Sequence, residues 1–332
     1  MKLLVLGGTH FIGRAFVEHL LEINASHTIT LFNRGITNAQ IFPGLRKILG
    51  DRETSDLNKV LEEDWDCIVD INGYYPNSLE AFIPKLKGKV GRYVYVSTVN
   101  VYDEDKYLGN VDRVSEDMPL FSCSREQRGG NWNMFYGEKK AECERILMRN
   151  DWLDTVILRP SIVYGKYDFK DRYYYWLQRI ALRDRMLIPD GGKERGNLTF
   201  VGDLSRLLAS AMTIRNHRIT YNAATHPINT LKEKVDAIKT AAGRTPEIIS
   251  ISSDALAKKG YTVARAFPCL FGQDFITYDI SKTQADFGTA FTEYGNSVSA
   301  TYKYFEETVK WELGTRGLRY EEEDELINSI SK

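Results

Sequence analysis

The sequence predicts an α/β protein, a doubly wound parallel sheet with a smaller C-terminal substrate lobe, and three observations carry that prediction. First, an apolar run (Leu3, Leu4, Val5, Leu6) ends in Gly7 and Gly8, and the apolar spacing then turns helical at Phe11, Ile12, Ala15, Phe16 and Leu20. That change of period reads as a buried parallel strand, a tight glycine turn and a helix laid on the sheet. Second, further short apolar runs alternate with helical stretches, as in successive βα units. Third, 332 residues with 43% hydrophobic content suit one large core and a smaller lobe.

The first turn aims backbone N–H groups and a helix N-terminus at one point, which suits a pyrophosphate. Gly7 permits the turn and Gly13 lets the helix approach the strand. The spacing matches G-x-x-G-x-x-G with His10 in the middle position. Gly7, Thr9, His10, Phe11, Ile12 and Gly13 are therefore the expected dinucleotide contacts.

The second strand runs from Thr28 to Asn33 and stops at Arg34 and Gly35. A carboxylate at the end of this strand would select NAD through the ribose 2′-OH. Here Asn33 and Arg34 stand instead, so NADP is favoured, with NAD still accepted. A short third strand, Lys47 to Asp51, places Asp51 to accept the adenine amino group. A fourth strand, Cys67 to Asn72, leads to Gly73 and Tyr74, and a fifth, Arg92 to Thr98, ends in Ser97 and Thr98. Ligands of such sheets collect beyond the carboxyl ends of the strands, where Asn33, Asp51, Asn72, Gly73, Ser97 and Thr98 all fall.

The chemistry is expected from Tyr136 and Lys140. They lie four apart in a helical segment, 132–148, and so share a face. A tyrosine with a pKa near 10 is a poor base at neutral pH, and a neighbouring ammonium favours its phenolate. Tyr102 with Lys106 and Tyr278 with Lys282 repeat the spacing. Only the Tyr136 pair opens a long helix directly after the strand carrying Ser97 and Thr98.

In this order the chain resembles the extended short-chain dehydrogenases/reductases, the NAD-dependent epimerase/dehydratase family. The matching pieces are the turn from Gly7 to Gly13, Tyr95 to Tyr102, Tyr136 to Lys140, Leu158 to Gly165, Phe200 to Leu204 and Tyr278 to Phe287. The resemblance implies that Thr98 hydrogen-bonds the reacting oxygen, Tyr136 is the acid/base, and Lys140 binds the nicotinamide ribose and tunes the phenol. It places Pro160, Ile162 and Val163 at the nicotinamide end, and Tyr74, Asn100, Tyr164 and Arg195 as substrate contacts. It implies a small-molecule substrate of nucleotide-sugar type, and a homodimer built on segments 78–86 and 132–148. The G-G-T-x-F-I-G turn is closest to a divergent subgroup near the chloroplast stem-loop RNA-binding proteins. RNA binding on the same fold is therefore the alternative to catalysis.

The formal net charge of −1 supplies no global field for nucleic acid or anionic lipid. Cys67, Cys123, Cys143 and Cys269 are scattered, and the five histidines lack metal-ligand spacing, so reduced thiols and no metal are expected. No leader precedes the first strand and no apolar run is long enough to span a bilayer, which leads to a cytoplasmic expectation. The domains are expected as 1–165 plus about 200–225 for the dinucleotide-binding core, and about 166–199 plus 226–332 for the substrate lobe. In that lobe an aromatic stretch, Tyr167 to Trp176, with Arg172, Arg179, Arg183, Arg185 and Arg195, reads either as a nucleotide site or as helix packing with solvated charges. Segment 200–224 reads as a helix and an edge strand, with short strands at 247–251 and 275–278. Glu321 to Glu325 read as a solvated helix end.

Overall fold

The computed structural model describes residues 1–24, 26–106, 113–170, 172–225, 229–268, 277–288, 290–311, 314 and 316–330. The chain divides into two units. One comprises Met1–Ser161, Val201–Thr225 and Tyr278–Ala290, and the other Ile162–Phe200, His226–Thr277 and Phe291–Lys332.

In chain order the elements are β1 (Lys2–Leu6), α1 (Phe11–Glu22), β2 (Thr28–Asn33), β3 (Arg46–Leu49), β4 (Trp65–Asp70), α2 (Pro76–Phe82), β5 (Val90–Val96), α3 (Tyr136–Arg149) and β6 (Asp154–Arg159). Then come β7 (Ile162–Tyr164), α4 (Arg172–Leu182), β8 (Arg185–Pro189), β9 (Arg195–Gly196), β10 (Leu198–Phe200), α5 (Val201–Ala211) and β11 (Ile219–Asn222). The last are β12 (Asn229–Thr230), α6 (Leu231–Ala242), β13 (Glu247–Ile251), α7 (Ser253–Lys258), α8 (Val263–Ala266), α9 (Ser281–Phe287), α10 (Tyr294–Thr308) and α11 (Tyr320–Ile330).

The first unit holds a seven-stranded parallel sheet in the order β11-β6-β5-β4-β1-β2-β3. Strand order reverses at β1, which lies between β2 and β4, and this creates the crevice where such sheets bind ligands. β1, β4, β5 and β6 are almost wholly buried because helices cover both faces. Leu79, Phe82, Cys143, Ile146 and Leu147 of α2 and α3 pack with Leu4, Ile68, Tyr93 and Ile157 of the sheet. α1 lies against α5.

Several boundaries differ from those expected. β3 ends at Leu49, because Gly50 N bonds Asn33 O and Asp51 O accepts from Thr54 to open a 3₁₀ turn over Ser55–Glu62. β4 and β5 begin and end two residues early. α3 begins at Tyr136, because Phe135 is left-handed at φ +53 and breaks helical continuity with 131–134. The outer faces of α2 and α3, expected to pair subunits, carry charges. Arg128 pairs with Glu80 at 2.6 Å and with Glu142, and Arg145 pairs with Glu142 at 2.7 Å.

Segment 278–290, expected in the substrate lobe, belongs to the first unit. Asn222 Nδ2 donates to Asp279 O at 3.0 Å, Thr283 Oγ1 donates to Asn222 O at 2.6 Å, and Lys282 Nζ donates to Thr220 O at 2.8 Å. Of the strand expected at 275–278, residues 275 and 276 lie outside the described residues. Tyr278 forms an isolated parallel bridge with Val114.

The second unit has its own core of Tyr164, Tyr173, Tyr174, Tyr175, Trp176, Leu187, Val235, Phe267, Val298 and Ile327. β13 pairs parallel with β8, and β7 with β10. Tyr173, Tyr174, Tyr175 and Trp176 of the aromatic stretch are thus packing, whereas Phe169 is exposed, and the neighbouring charges are not all solvated. Arg179 is 1% exposed, lies 3.6 Å from the centroid of the Tyr175 ring, pairs with Glu323 at 3.3 Å and donates to Leu318 O. Glu323 is fully buried and also accepts from Leu187 N at 2.9 Å, so the expected solvated acidic end is corrected. An apolar stripe (Leu326, Ile327) on α11 draws one glutamate inside, and only a buried cation can accompany it. Tyr164, expected at the substrate, is also core, with its hydroxyl 2.6 Å from Ser297 Oγ. Among the described residues no helix is long and apolar enough to cross a membrane.

Candidate active site

The first βα turn is shaped by backbone proximity. Gly7 has φ +92, and a Cβ there would lie 2.9 Å from Asn72 Cγ. A Cβ on Gly13 would lie 2.0 Å from Gly7 O, closer than any side chain tolerates, so α1 meets β1 backbone to backbone. His10 is the extended N-cap residue of α1, and its carbonyl accepts Gly13 N at 3.0 Å and Arg14 N at 3.3 Å. Phe11 follows at φ +35. Thr9 is buried, and its carbonyl accepts Asn38 Nδ2 at 2.9 Å. Ile12 is half-buried. A tight glycine turn that brings a helix N-terminus against the end of β1 fits a dinucleotide pyrophosphate.

Next to it, at the ends of β2 and β3, Asn33 Oδ1 accepts Gly35 N at 3.0 Å, while its buried Nδ2 has no hydrogen-bond partner. Arg34 is exposed. Asp51 Oδ1 accepts Glu53 N at 3.0 Å. The residue that sequence reasoning missed is Arg52. Its guanidinium clasps Asp70 through two bonds, of 2.5 and 2.9 Å, and donates to Asn72 Oδ1 at 2.9 Å. It thereby fixes the side chain that stands over Gly7. Burial alone would push the Asp70 carboxyl up. Arg52 and the Tyr93 hydroxyl, 2.6 Å away, outweigh burial and hold it below the ordinary carboxylate range. A carboxylate ending an otherwise apolar strand was the available signal, since a buried charge requires a partner.

The first turn of α3 sits on the 98–101 turn, where a Cβ on Gly137 would lie 2.2 Å from Asn100 O. Tyr136 is the first helical residue. Its ring lies 6.3 Å from Tyr74 and 6.2 Å from Trp132, and Tyr74 and Trp132 are 5.6 Å apart. Lys140 is 1% exposed and donates to Val96 O at 2.6 Å and Gly73 O at 2.9 Å. An ammonium has three donors, so these bonds leave one. Burial pulls its pKa down to about 8, against the opposing pull of Cys143 and Asp70. Thr98 is buried, and its Oγ1 accepts Asn100 N at 3.2 Å, which leaves the hydroxyl proton to donate.

Behind these residues a buried polar network braces the sheet edge. Ser97 Oγ donates to Glu144, which Arg159 clasps at 2.6 and 3.0 Å. Arg159 Nη1 reaches Tyr102 Oη at 2.9 Å, which donates to Asn222 Oδ1 at 2.6 Å. Burial opposes the charge of Arg159, and Glu144 outweighs it, so the guanidinium is held above its ordinary value. Pro160 O accepts Val99 N at 3.0 Å. The other two Tyr/Lys pairs are accounted for here. Tyr102 and Tyr278 stack at 6.0 Å, Lys106 pairs with Asp103, and Lys282 binds a carbonyl. In the second unit, Val163 is buried in β7 and Arg195 is exposed in β9.

Residues 3–224 match the NAD dependent epimerase/dehydratase family. The chain belongs to that family. It is an extended short-chain dehydrogenase/reductase enzyme. Among family proteins, dTDP-glucose 4,6-dehydratase of Escherichia coli is 22% identical over 303 residues, 77% of this chain and 80% of that protein. Two solved structures share the fold. UDP-glucuronic acid 4-epimerase from Bacillus cereus, in complex with NAD, has a TM-score of 0.70 at 19% identity, covering 94% of this chain and 99% of that one. dTDP-glucose 4,6-dehydratase from Bacillus anthracis, also with NAD, has a TM-score of 0.71 at 20% identity, covering 94% and 98%. Family membership makes a nicotinamide nucleotide the cofactor, and the glycine turn fits it.

Proposed function

We propose that the protein interconverts a hydroxyl and a ketone on a nucleotide sugar, with Tyr136 as acid/base. The observation that supports this most is the placement of Tyr136 four residues before a buried Lys140 on α3, whose first turn sits on the turn that carries Thr98. The names of the similar proteins, a sugar-nucleotide dehydratase and an epimerase, point to the substrate class.

The bound nicotinamide nucleotide supplies hydride transfer at the carbon bearing the oxygen. Thr98 donates its hydroxyl proton to that oxygen and orients it. The Tyr136 phenolate takes the proton from the hydroxyl and returns it to the ketone. The charge on Lys140 favours the phenolate. Gly7, Thr9, His10, Phe11, Ile12 and Gly13 hold the pyrophosphate, and Asn72, Gly73, Ser97 and Pro160 line the rest of the cofactor path. Tyr74 and Asn100 remain the substrate contacts in this reading.

The adenosine end favours NADP over NAD. The support is a buried, unpartnered Asn33 amide N–H beside an exposed Arg34, with no carboxylate at the end of β2. Turnover is tested on UDP-glucose, UDP-glucuronic acid and dTDP-glucose with each cofactor. Tyr136→Phe is expected to lose about 10²-fold or more in kcat, and an unchanged rate overturns the assignment. Recycled cofactor identifies an epimerase or dehydratase, and net consumption a reductase.

A further inference from the structure

Three exposed apolar side chains, Trp132, Met134 and Phe135, stand immediately before Tyr136 and α3. A buried charge fixes the turn that carries them. Lys139 is fully buried, donates from Nζ to Asn131 O at 2.8 Å, and places its ammonium 5.3 Å from the centroid of the Tyr75 ring. The same carbonyl accepts Met134 N at 3.1 Å, which closes the 131–134 turn. Upstream, Arg128 bonds Glu80 at 2.6 Å and also Glu142. The chain is therefore pinned before Trp132 at Arg128 and Asn131, and after it by α3.

Phe135 stands at φ +53, a conformation that a bulky side chain adopts only under constraint, and it breaks 132–134 away from α3. The result is a triangle of rings. Trp132 lies 5.6 Å from Tyr74 and 6.2 Å from Tyr136, at 89° to the phenol ring, and is 40% exposed. A buried ammonium is costly unless its donors find acceptors. Leaving three apolar side chains in water gains the fold no burial energy. A buried lysine devoted to fixing this turn therefore points to what the turn presents, an open indole beside the reactive phenol.

We propose that Trp132 is a specificity-determining residue whose indole packs against the apolar C–H face of the substrate's sugar ring, and that Lys139 is the positioning residue that holds it there. The inference rests on the nucleotide-sugar reading given above. A pyranose has a face rich in C–H hydrogens, polarised by the ring oxygens. An aromatic face is electron-rich, so the two attract without a hydrogen bond. The contact leaves the hydroxyls at the rim of the sugar to Thr98 and Tyr136. It recognises the sugar and not the nucleoside diphosphate.

The test is calorimetric titration of the full-length protein at saturating NADPH, which cannot take hydride from a sugar hydroxyl, so binding is read without turnover. The ligands are UDP-glucose, UDP-glucuronic acid and dTDP-glucose, with UDP and dTDP as the sugar-free controls. Trp132→Ala is expected to weaken the sugar nucleotide that wild type binds best by about tenfold, and Trp132→Phe by no more than about twofold, with the matching nucleoside diphosphate unchanged. Lys139→Met is expected to weaken the same ligand about threefold alone and to add nothing in the Trp132→Ala background, which a general loss of stability would not do. Should Lys139→Met not fold, Lys139→Gln carries the same expectation. Unchanged sugar-nucleotide affinity in Trp132→Ala, or an equal loss for the nucleoside diphosphate, overturns the proposal, and additive losses in the double variant overturn the role of Lys139. Absence of binding for all three sugar nucleotides overturns the nucleotide-sugar reading and this inference with it. Retained turnover in Tyr136→Phe overturns only the acid/base assignment.

Discussion

Lys140 makes a measurable demand on the fold. Its ammonium is buried beneath Tyr74 and Tyr95, 5.5 and 4.0 Å from their ring centroids, and its pKa is lowered from 10.5 to about 8. Between those two values the unfolded chain binds the proton and the folded chain does not, so stability rises with pH across that window. At about 1.36 kcal/mol per pKa unit the gain is about 3 kcal/mol, complete near pH 10.5 and absent below pH 8. Other groups titrate in the same range, so the quantity to measure is the difference between wild type and Lys140→Met. Urea unfolding of both proteins at intervals from pH 7 to pH 10.5 supplies it. The wild type is expected to gain about 3 kcal/mol on the variant across the series. A difference that stays flat would mean that Lys140 titrates normally and is not desolvated. The same titration bears on turnover. Lys140 loses its proton near pH 8, so wild-type kcat is expected to fall above that pH.

Other outcomes follow from backbone approach and buried charge. Gly13→Ala forces a Cβ against Gly7 O and is expected to cost about 1–3 kcal/mol of stability and at least tenfold in NADPH affinity. A variant with the wild-type melting temperature and affinity would contradict the close packing. Arg52→Met leaves Asp70 buried without its cation and is expected to cost about 3–5 kcal/mol at pH 7. The penalty should shrink as pH falls and Asp70 protonates, and Arg52→Met/Asp70→Leu should restore much of the loss. Equal penalties at pH 7 and pH 4 would count against this account. Glu323→Ala strands Arg179 in the second unit and is expected to cost a similar amount, read by denaturant unfolding. An exposed-site effect of a few tenths of a kcal/mol would contradict its burial.

What was legible in the sequence is what short-range patterning determines. The glycine turn between Leu6 and Phe11, the strand ends at Asn33 and Leu6, and the four-residue spacing of Tyr136 and Lys140 all follow from local period and spacing, because strand and helix geometry is set by near neighbours. Element ends were less legible. Phe135 breaks α3 from within a segment of helical composition, and Asp51 is drawn from strand to turn by bonds to Thr54. Only the tertiary structure decided which charges go inside and what meets them. Arg52 with Asp70, Glu144 with Arg159 and Arg179 with Glu323 each join residues from different elements. Each carries a charge that composition alone assigns to the surface. The same holds for segment 278–290, which joins the first unit through Asn222. The physical reason is that a buried charge is stable only in the company of specific partners, and those partners are chosen by which elements the fold brings together.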